Sequence, residues 1–221
     1  MNNILVVATH PDDETLGCGG TLLRFKQQGA QIHWLIVTEM GAADGYSAEA
    51  IARREQEIAC VAQQYQFDGV HRLGFAAAHL DELPTSQLIN AFARVMQQVQ
   101  PTQVFLPFRH DVHSDHQVAF NAAWSCSKVF RYPSVRKILM METLSETDFA
   151  VAGADAFSPN VFIDISEQLE QKCAILSLYA SEVKPHPFPR SQQSLRALAT
   201  LRGAAAGCDY AESFMLLKQI C

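Results

Sequence analysis

The sequence lacks the features that would place the chain in a membrane or on a nucleic acid. None of its apolar runs approaches the roughly 18 to 20 residues that a membrane-spanning helix needs. The amino-terminal residues also lack the basic region and long apolar stretch of a signal peptide. Lysine and arginine number 17 against 23 aspartates and glutamates, for a formal charge of −6. We therefore expect no membrane span, no nucleic-acid partner and a cytoplasmic location.

The cysteines lack the close spacing of a metal-binding or redox motif. No two of them form a C-x-x-C pair, which is the usual mark of a structural zinc site. In a reducing compartment we expect all of them to be small, buried, apolar side chains. They are Cys18, Cys60, Cys126, Cys173, Cys208 and Cys221.

What the sequence does contain is an alternation of apolar runs and segments of helical periodicity. The chain has 221 residues, 48% of them hydrophobic, which fits one packed domain over residues 1–221. Apolar runs predict strands at 4–8, 32–37, 70–74, 104–107, 137–142 and 161–165. Periodicity predicts helices at 13–28, 48–65, 86–98, 115–127, 166–179 (with Ser166 as its N-cap) and 191–206.

Repeated strand–helix–strand units favour a doubly wound sheet. We therefore expect an α/β protein with a Rossmann-like, three-layer fold, in which helices cover both faces of a mostly parallel sheet. In such folds, ligands bind at the carboxyl ends of the strands, where the strand order reverses.

Four polar residues, His10, Asp12, Asp13 and Glu14, follow the first predicted strand directly. His10 and Asp13 are three residues apart, so a turn at the end of the strand lets both reach one metal ion, while Asp12 projects differently. Alternatively, the two aspartates only cap the next helix, because carboxylates stabilise the positive end of the helix dipole.

A second polar cluster follows the strand predicted at 104–107. Packing does not explain so many histidines and aspartates in one short loop, and both clusters stand at strand ends that can meet across a crevice. Two histidines and one carboxylate with a fourth position open are the pattern of a catalytic zinc site. The residues of this cluster are His110, Asp111, His113, Asp115 and His116.

These two clusters resemble the motifs of a known family. The run A-T-H-P-D-D-E at 8–14, followed by G-C-G-G at 17–20, resembles the A-H-P-D-D-E…G-x-G-G signature of the PIG-L (LmbE-like) zinc-dependent de-N-acetylases. The run H-S-D-H at 113–116 is similar to the family's second motif, H-x-D-H. Thr9 and Ser114 stand where the family more often has Ala and Pro, and neither position supplies a ligand.

Weaker likenesses extend the resemblance over nearly the whole chain. Arg54 and Glu57 are similar to the family's R-x-x-E helix, and Asp81 stands where the family often carries a substrate-binding aspartate. Near the end of the chain, R-G at 202–203 and Y-A-E-S-F at 210–214 are similar to the family's R-G…Y-A-E-x-F segment.

The resemblance implies a metal centre that hydrolyses an amide. His10, Asp13 and His116 would hold a Zn²⁺ ion, with water completing the site. Asp12 would be the general base that takes a proton from that water, and a protonated His113 would stabilise the oxyanion or help the amine to leave.

The same resemblance implies that Asp115 holds the imidazole of His113 and raises its pKa. Asp111 fits either a helix cap or a position behind the metal ligands, and His110 either lines the pocket or is solvated. A site of two histidines and one aspartate suits Zn²⁺, although Fe²⁺, Co²⁺ or Ni²⁺ would also serve.

Four residues outside the two motifs are candidates for substrate binding. Arg54 would hold a hydroxyl or phosphate of the substrate, or else form an exposed ion pair along its own helix. Asp81 would accept hydrogen bonds from sugar hydroxyls, or only stabilise a turn. His186 and Arg190 lie in a proline-rich loop that cannot be helical, and they would reach over the mouth of the pocket.

The function that the resemblance implies is removal of the N-acetyl group from an N-acetylated amino sugar or sugar conjugate. One alternative is hydrolysis of a non-sugar N-acyl compound at the same site. Another is a sugar-binding module with a structural metal, which the presence of Asp12 disfavours. A nucleotide site is also disfavoured, because 17–20 lacks G-x-G-x-x-G and the acidic residues beside it repel phosphate.

Overall fold

Strands and helices alternate through residues 2–153 and 155–221, which are the residues that the computed structural model describes. The strands are β1 (Asn3–Ala8), β2 (Gln31–Glu39), β3 (Gly69–Ala76), β4 (Gln103–Leu106), β5 (Lys137–Met141), β6 (Val161–Asp164) and β7 (Ala211–Gln219). The α-helices are α1 (Asp13–Gln27), α2 (Ala48–Tyr65), α3 (Thr85–Val99), α4 (Ser114–Ser125), α5 (Leu169–Leu176) and α6 (Gln192–Ala206). Among the described residues, no helix is both long enough and apolar enough to cross a membrane.

The strands form one sheet in the order β3-β2-β1-β4-β5-β7-β6. Neighbours from β3 to β5 run parallel, whereas β7 runs antiparallel to both β5 and β6. The predicted mostly parallel α/β sheet is therefore confirmed. Strand β7 is absent from the strands that the apolar runs predict, because residues 210–214 stand out in the sequence only through their family likeness.

Helices cover both faces of this sheet, because side chains along the strands alternate between two apolar clusters. Ile4 and Val6 of β1 pack with α1, α2, α5 and α6 on one face. Leu5 and Val7 pack with α3 and α4 on the other face. Burying a side chain of this size stabilises the fold by about 1.5–3 kcal/mol. The result is the predicted three-layer arrangement.

The topology places a binding crevice between β1 and β4. From β1 the chain moves outward through β2 to β3, and then returns to place β4 on the opposite side of β1. The strand order thus reverses between β1 and β4, and the loops after these two strands carry both histidine clusters. Both histidine clusters therefore lie at the carboxyl ends of their strands, where we expected the site.

Three local predictions need correction. The side chain of Ser166 does not cap α5, since its hydroxyl donates to Asp164 Oδ1 (2.6 Å) and the helix begins only at Leu169. Helix α1 is interrupted at Cys18, whose φ of −148° is not helical. Cys18, Cys126 and Cys173 are buried as expected, but two cysteines are exposed; these are Cys60 and Cys221.

Candidate metal centre

The loops after β1 and β4 bring three histidines together. The ring of His10 lies 4.6 Å from that of His113 and 5.3 Å from that of His116, measured between centroids. His10 follows β1, whereas His113 and His116 stand at the start of α4. The two sequence clusters therefore form one site.

His116 is fully buried between two carboxylates. Its Nδ1 lies 2.8 Å from Asp111 Oδ2, and its Nε2 lies 3.3 Å from Asp13 Oδ2. Burial favours the neutral imidazole, but Asp13 and Asp111 together raise the pKa of His116 well above its usual value. Burial likewise opposes ionisation of Asp13, but His116 and His10 lower the pKa of that carboxyl to about 2. Two buried carboxylates facing one imidazole create a place for positive charge, either a proton or a metal ion.

The donor atoms of His10, Asp13 and His116 fit a metal ion. One ligand atom from each lies within 4.8 Å of the others. His116 Nε2 is buried and makes no hydrogen bond with any described residue, whereas its Nδ1 is held by Asp111. A histidine held in this way at one ring nitrogen presents the lone pair of the other to a metal. Asp111, whose role the sequence left open, therefore lies behind a candidate ligand.

A second group, His10 with His113 and Asp115, satisfies the same distance limit. Its carboxylate, however, already accepts backbone N–H groups from Ala78 (2.6 Å) and Leu80 (3.1 Å). These two bonds occupy lone pairs that a metal would need, whereas among the described residues the carboxylate of Asp13 accepts only one backbone N–H, that of His10 (2.8 Å). The first group is thus the better candidate.

Asp115 contacts His113 through its backbone and not through its carboxylate. That carboxylate lies 3.2 Å from His10 Nε2, and it is the backbone N–H of Asp115 that donates to His113 Nδ1 (3.1 Å). Burial and the neighbouring His10 lower the pKa of His113, whereas the charge of Asp115 raises it. With Nδ1 acting as an acceptor, the neutral ring carries its proton on Nε2.

Asp12 stands beside the ligands in a strained backbone conformation. Its φ of 132° lies in the region that favours glycine, and its side chain is almost fully buried. The carboxylate of Glu14 accepts the N–H of Asp12 (3.2 Å) together with the hydroxyls of Thr15 (2.6 Å) and Tyr179 (2.7 Å). Burial and the charge of Asp13 raise the pKa of Asp12, whereas Arg190 lowers it.

A cavity of about 290 Å³ opens beside this centre. Its wall includes His10, Asp12 and His113, and it continues along β2, β3 and α2. Part of that wall is apolar, formed by Met40, Tyr46, Ile51 and Ile58. A small organic molecule that binds there would reach the metal-ligand cluster directly.

Two of the four predicted substrate-binding residues lie on the cavity. Arg190 places its guanidinium 3.3 Å from Asp12 Oδ2. Arg54 is only 7% exposed and donates to the carbonyl of Pro11 (2.9 Å), so it is not the exposed helix-surface pair that was the alternative. Because Pro11 precedes Asp12, Arg54 also supports the turn that carries the site.

Asp81 and His186 do not line the cavity. Asp81 is an exposed residue of a short helical turn, Leu80–Glu82, and His186 is exposed in its proline-rich loop. Sequence spacing alone does not reveal that both residues lie outside the cavity wall. The predicted substrate contacts of these two residues have no support in the structure.

The sequence missed several charged residues of the cavity wall, among them Arg72, Glu146 and Glu182. Arg72 comes from β3, Glu146 from the loop after β5, and Glu182 from the loop after α5. None belongs to a motif, and the three converge only through the fold. Burial raises the pKa of Glu146, whose carboxyl faces the charges of His116 and Asp13.

Comparison with known proteins agrees with this geometry. A family model described as PIG-L: GlcNAc-PI de-N-acetylase matches residues 5–127. The diacetylchitobiose deacetylase of Thermococcus kodakarensis is 25% identical over 229 residues, covering 100% of this chain and 85% of that protein. The probable N-acetyl-alpha-D-glucosaminyl L-malate deacetylase 2 of Bacillus cereus is 28% identical over 194 residues, covering 82% and 84%.

A solved structure extends the likeness to the whole fold. The conserved protein TT1542 from Thermus thermophilus superposes with a TM-score of 0.80 at 27% identity, covering 100% of this chain and 97% of that one. The family model spans more than half of the sequence and includes both histidine motifs. The chain therefore belongs to the PIG-L (GlcNAc-PI de-N-acetylase) family.

Proposed function

We propose that this protein is a metal-dependent hydrolase that removes the acetyl group from the nitrogen of an N-acetylated amino sugar. The observation that carries the proposal is the buried Nε2 of His116, which has no hydrogen-bond partner among the described residues and lies beside Asp13, His10 and the cavity. The activities named for the relatives from Thermococcus kodakarensis and Bacillus cereus support the same chemistry.

His10, Asp13 and His116 would hold the metal. Zn²⁺ suits two histidines and one carboxylate, and Fe²⁺, Co²⁺ and Ni²⁺ are the other candidates. When bound, such an ion lowers the pKa of water towards about 7 and polarises a carbonyl oxygen. Asp111 fixes the ring of His116 for this task through its bond to Nδ1.

Asp12 would act as the general base. Its carboxylate lies on the cavity wall, and burial and the charge of Asp13 raise its pKa, which is the direction that favours uptake of a proton. Arg190 contacts Asp12 Oδ2 and keeps the carboxylate in place, and Glu14 anchors its backbone. The proton taken from the attacking water would then be available for the departing amine.

His113 would stabilise the negative charge that develops on the amide oxygen. Its neutral ring carries the proton on Nε2, because Nδ1 accepts the N–H of Asp115. A donor already held in position costs no reorganisation during the reaction, and one such donor is typically worth 10²–10³ in kcat.

Release of acetate tests the proposal. The protein, first stripped with a chelator and then supplied with Zn²⁺, is incubated with N-acetylglucosamine, N,N'-diacetylchitobiose and N-acetylglycine. We expect acetate from an amino sugar, none after chelation, and recovery on addition of the metal. Acetate from N-acetylglycine alone would favour the non-sugar alternative, and no acetate from any compound would overturn the proposal.

Two variants separate the base from the ligands. Asp12→Asn should keep its metal content and lose about 10²–10⁴ in kcat, whereas His116→Ala should lose the metal. His186→Ala is the matched control, since this exposed histidine lies outside the cavity. Full activity of Asp12→Asn would remove it as the base, and wild-type metal content in His116→Ala would remove that ligand.

A further inference from the structure

The far wall of the cavity carries an arginine that is already neutralised. Arg72 on β3 forms two hydrogen bonds with the carboxylate of Glu55 on α2, at 2.7 and 2.6 Å. A second carboxylate, that of Glu39, lies 3.7 Å from the same guanidinium. Two parallel bonds of this kind are the strong form of an arginine–carboxylate contact. The charge of Arg72 is therefore already balanced by carboxylates of the protein.

The other two arginines of the wall are also paired with carboxylates, through single contacts. Arg54 pairs with Glu57 (3.2 Å) and with Glu182, and Arg190 pairs with Asp12 (3.3 Å) and with Glu182 (3.2 Å). Each guanidinium thus faces two carboxylates. A ligand carboxylate or phosphate would have to displace one of these partners and leave it without its own cation.

The overall charge of the cavity wall also disfavours an anionic ligand. Among the described residues that line the cavity, carboxylates outnumber arginines, and no lysine is present. Away from the metal ligands, the carboxylates of Glu39, Glu55 and Glu182 balance the three arginines, so an added anion would find no unpaired positive charge there. The charged lining residues are Asp12, Glu39, Glu55, Glu146 and Glu182, with Arg54, Arg72 and Arg190.

The same wall suits an uncharged sugar. Arginine–carboxylate pairs offer both donors and acceptors to hydroxyl groups, and Met40, Ile51 and Ile58 offer apolar surface to the carbon face of a ring. Tyr46 stands on the cavity with 39% of its surface exposed, so its ring is free to pack on such a face. An aromatic ring can bury apolar surface of a ligand against its face, and the ligand needs no charged group for this contact.

We propose that the cavity selects N-acetyl amino sugars whose remaining part is uncharged and rich in hydroxyls, and discriminates against conjugates with a carboxylate or phosphate on that part. This inference rests on the proposed deacetylase function. It assigns to the Arg72–Glu55 pair a role in substrate choice, because the pair sets the charge that the far part of the substrate meets.

A matched pair of substrates tests the inference. The 2-hydroxyethyl and carboxymethyl glycosides of N-acetylglucosamine differ little in size, but only the second is anionic at neutral pH. We expect kcat/KM for acetate release to be roughly tenfold or more higher for the neutral glycoside at low ionic strength. The preference should shrink as salt is added, because both groups of the exposed Arg72–Glu55 pair are screened.

One variant ties the preference to the named residues. Glu55→Gln removes a negative charge and releases the guanidinium of Arg72, so the ratio of anionic to neutral kcat/KM should rise roughly threefold to tenfold. Glu167→Gln removes the same charge from an exposed position outside the cavity, and its ratio should stay at the wild-type value.

The outcomes separate this inference from the proposed function. Acetate from both glycosides with equal or higher kcat/KM for the anionic one overturns the inference alone, as does an unchanged ratio in Glu55→Gln. No acetate from either glycoside overturns the proposed function, and the inference falls with it.

Discussion

A buried ion pair, Lys172 with Glu212, bonds the backbone groups at the interruption in helix α1, and its removal should destabilise the fold. At the interruption, backbone groups that lack a partner within the helix bond to the pair instead. The carbonyl of Leu16 accepts a hydrogen bond from Lys172 Nζ (3.0 Å). The N–H groups of Gly20 and Thr21 donate to the carboxylate of Glu212 (2.8 and 2.7 Å). Lys172 and Glu212 also bond each other at 2.7 Å. The pair therefore joins α1, α5 and β7, beneath the end of α1 that carries Asp13.

Glu212→Ala should lower the free energy of unfolding by about 3–5 kcal/mol, because it leaves the charge of Lys172 buried without a partner. The lysine is 3% exposed and the glutamate 5%, so water cannot replace the lost contact. In a domain of this size, that loss lowers Tm by roughly 6–20 °C. Urea titration and differential scanning calorimetry measure both quantities.

Two further variants make this prediction refutable. Glu170→Ala removes an acidic side chain that is 77% exposed and paired with Arg196, and should cost less than about 1 kcal/mol. Lys172→Met combined with Glu212→Gln removes both charges and should be more stable than Glu212→Ala alone. A loss in Glu212→Ala no larger than in Glu170→Ala would refute the reasoning.

The other predictions concern the support of the metal centre. Asp111→Asn should weaken metal affinity about tenfold to hundredfold, measured by competition with a chelating dye; an unchanged affinity would contradict it. Burial raises the pKa of Glu14 to about 7 from 4.5, so the folded protein retains a proton that the unfolded chain releases. Stability should fall by about 3 kcal/mol as the pH rises across that interval, and Glu14→Gln should remove this slope in urea titrations. Gly20→Ala places a Cβ 2.8 Å from Ile165 and should cost about 1–3 kcal/mol, and a variant as stable as wild type would show that the contact relaxes freely.

The metal-ligand cluster could be predicted from sequence because its parts are local. His10 and Asp13 follow β1 within a few residues, and His116 follows β4 at the start of α4. Parallel strands end at the same edge of the sheet, so two short motifs after two strands are enough to place the cluster. The strand order then confirms that these two strands are neighbours.

The cavity wall could not be predicted in the same way. Arg72, Glu146 and Glu182 come from three elements that are far apart in sequence, and none has a local pattern. Asp81 and His186 lie outside the cavity for the converse reason, since a residue's place in the chain does not fix where its loop runs. The sequence likewise indicates that Asp115 contacts His113 but not that its backbone N–H makes the contact.

The position of a bound metal ion is the most direct test of the account. Crystals soaked in Zn²⁺ and measured at the zinc absorption edge give an anomalous difference peak at the ion. We predict one peak within about 2.0–2.2 Å of ligand atoms of His10, Asp13 and His116, with Asp12 and His113 beside it but not bound. A peak held instead by His10, His113 and Asp115, or no peak at either group, would contradict the proposed centre.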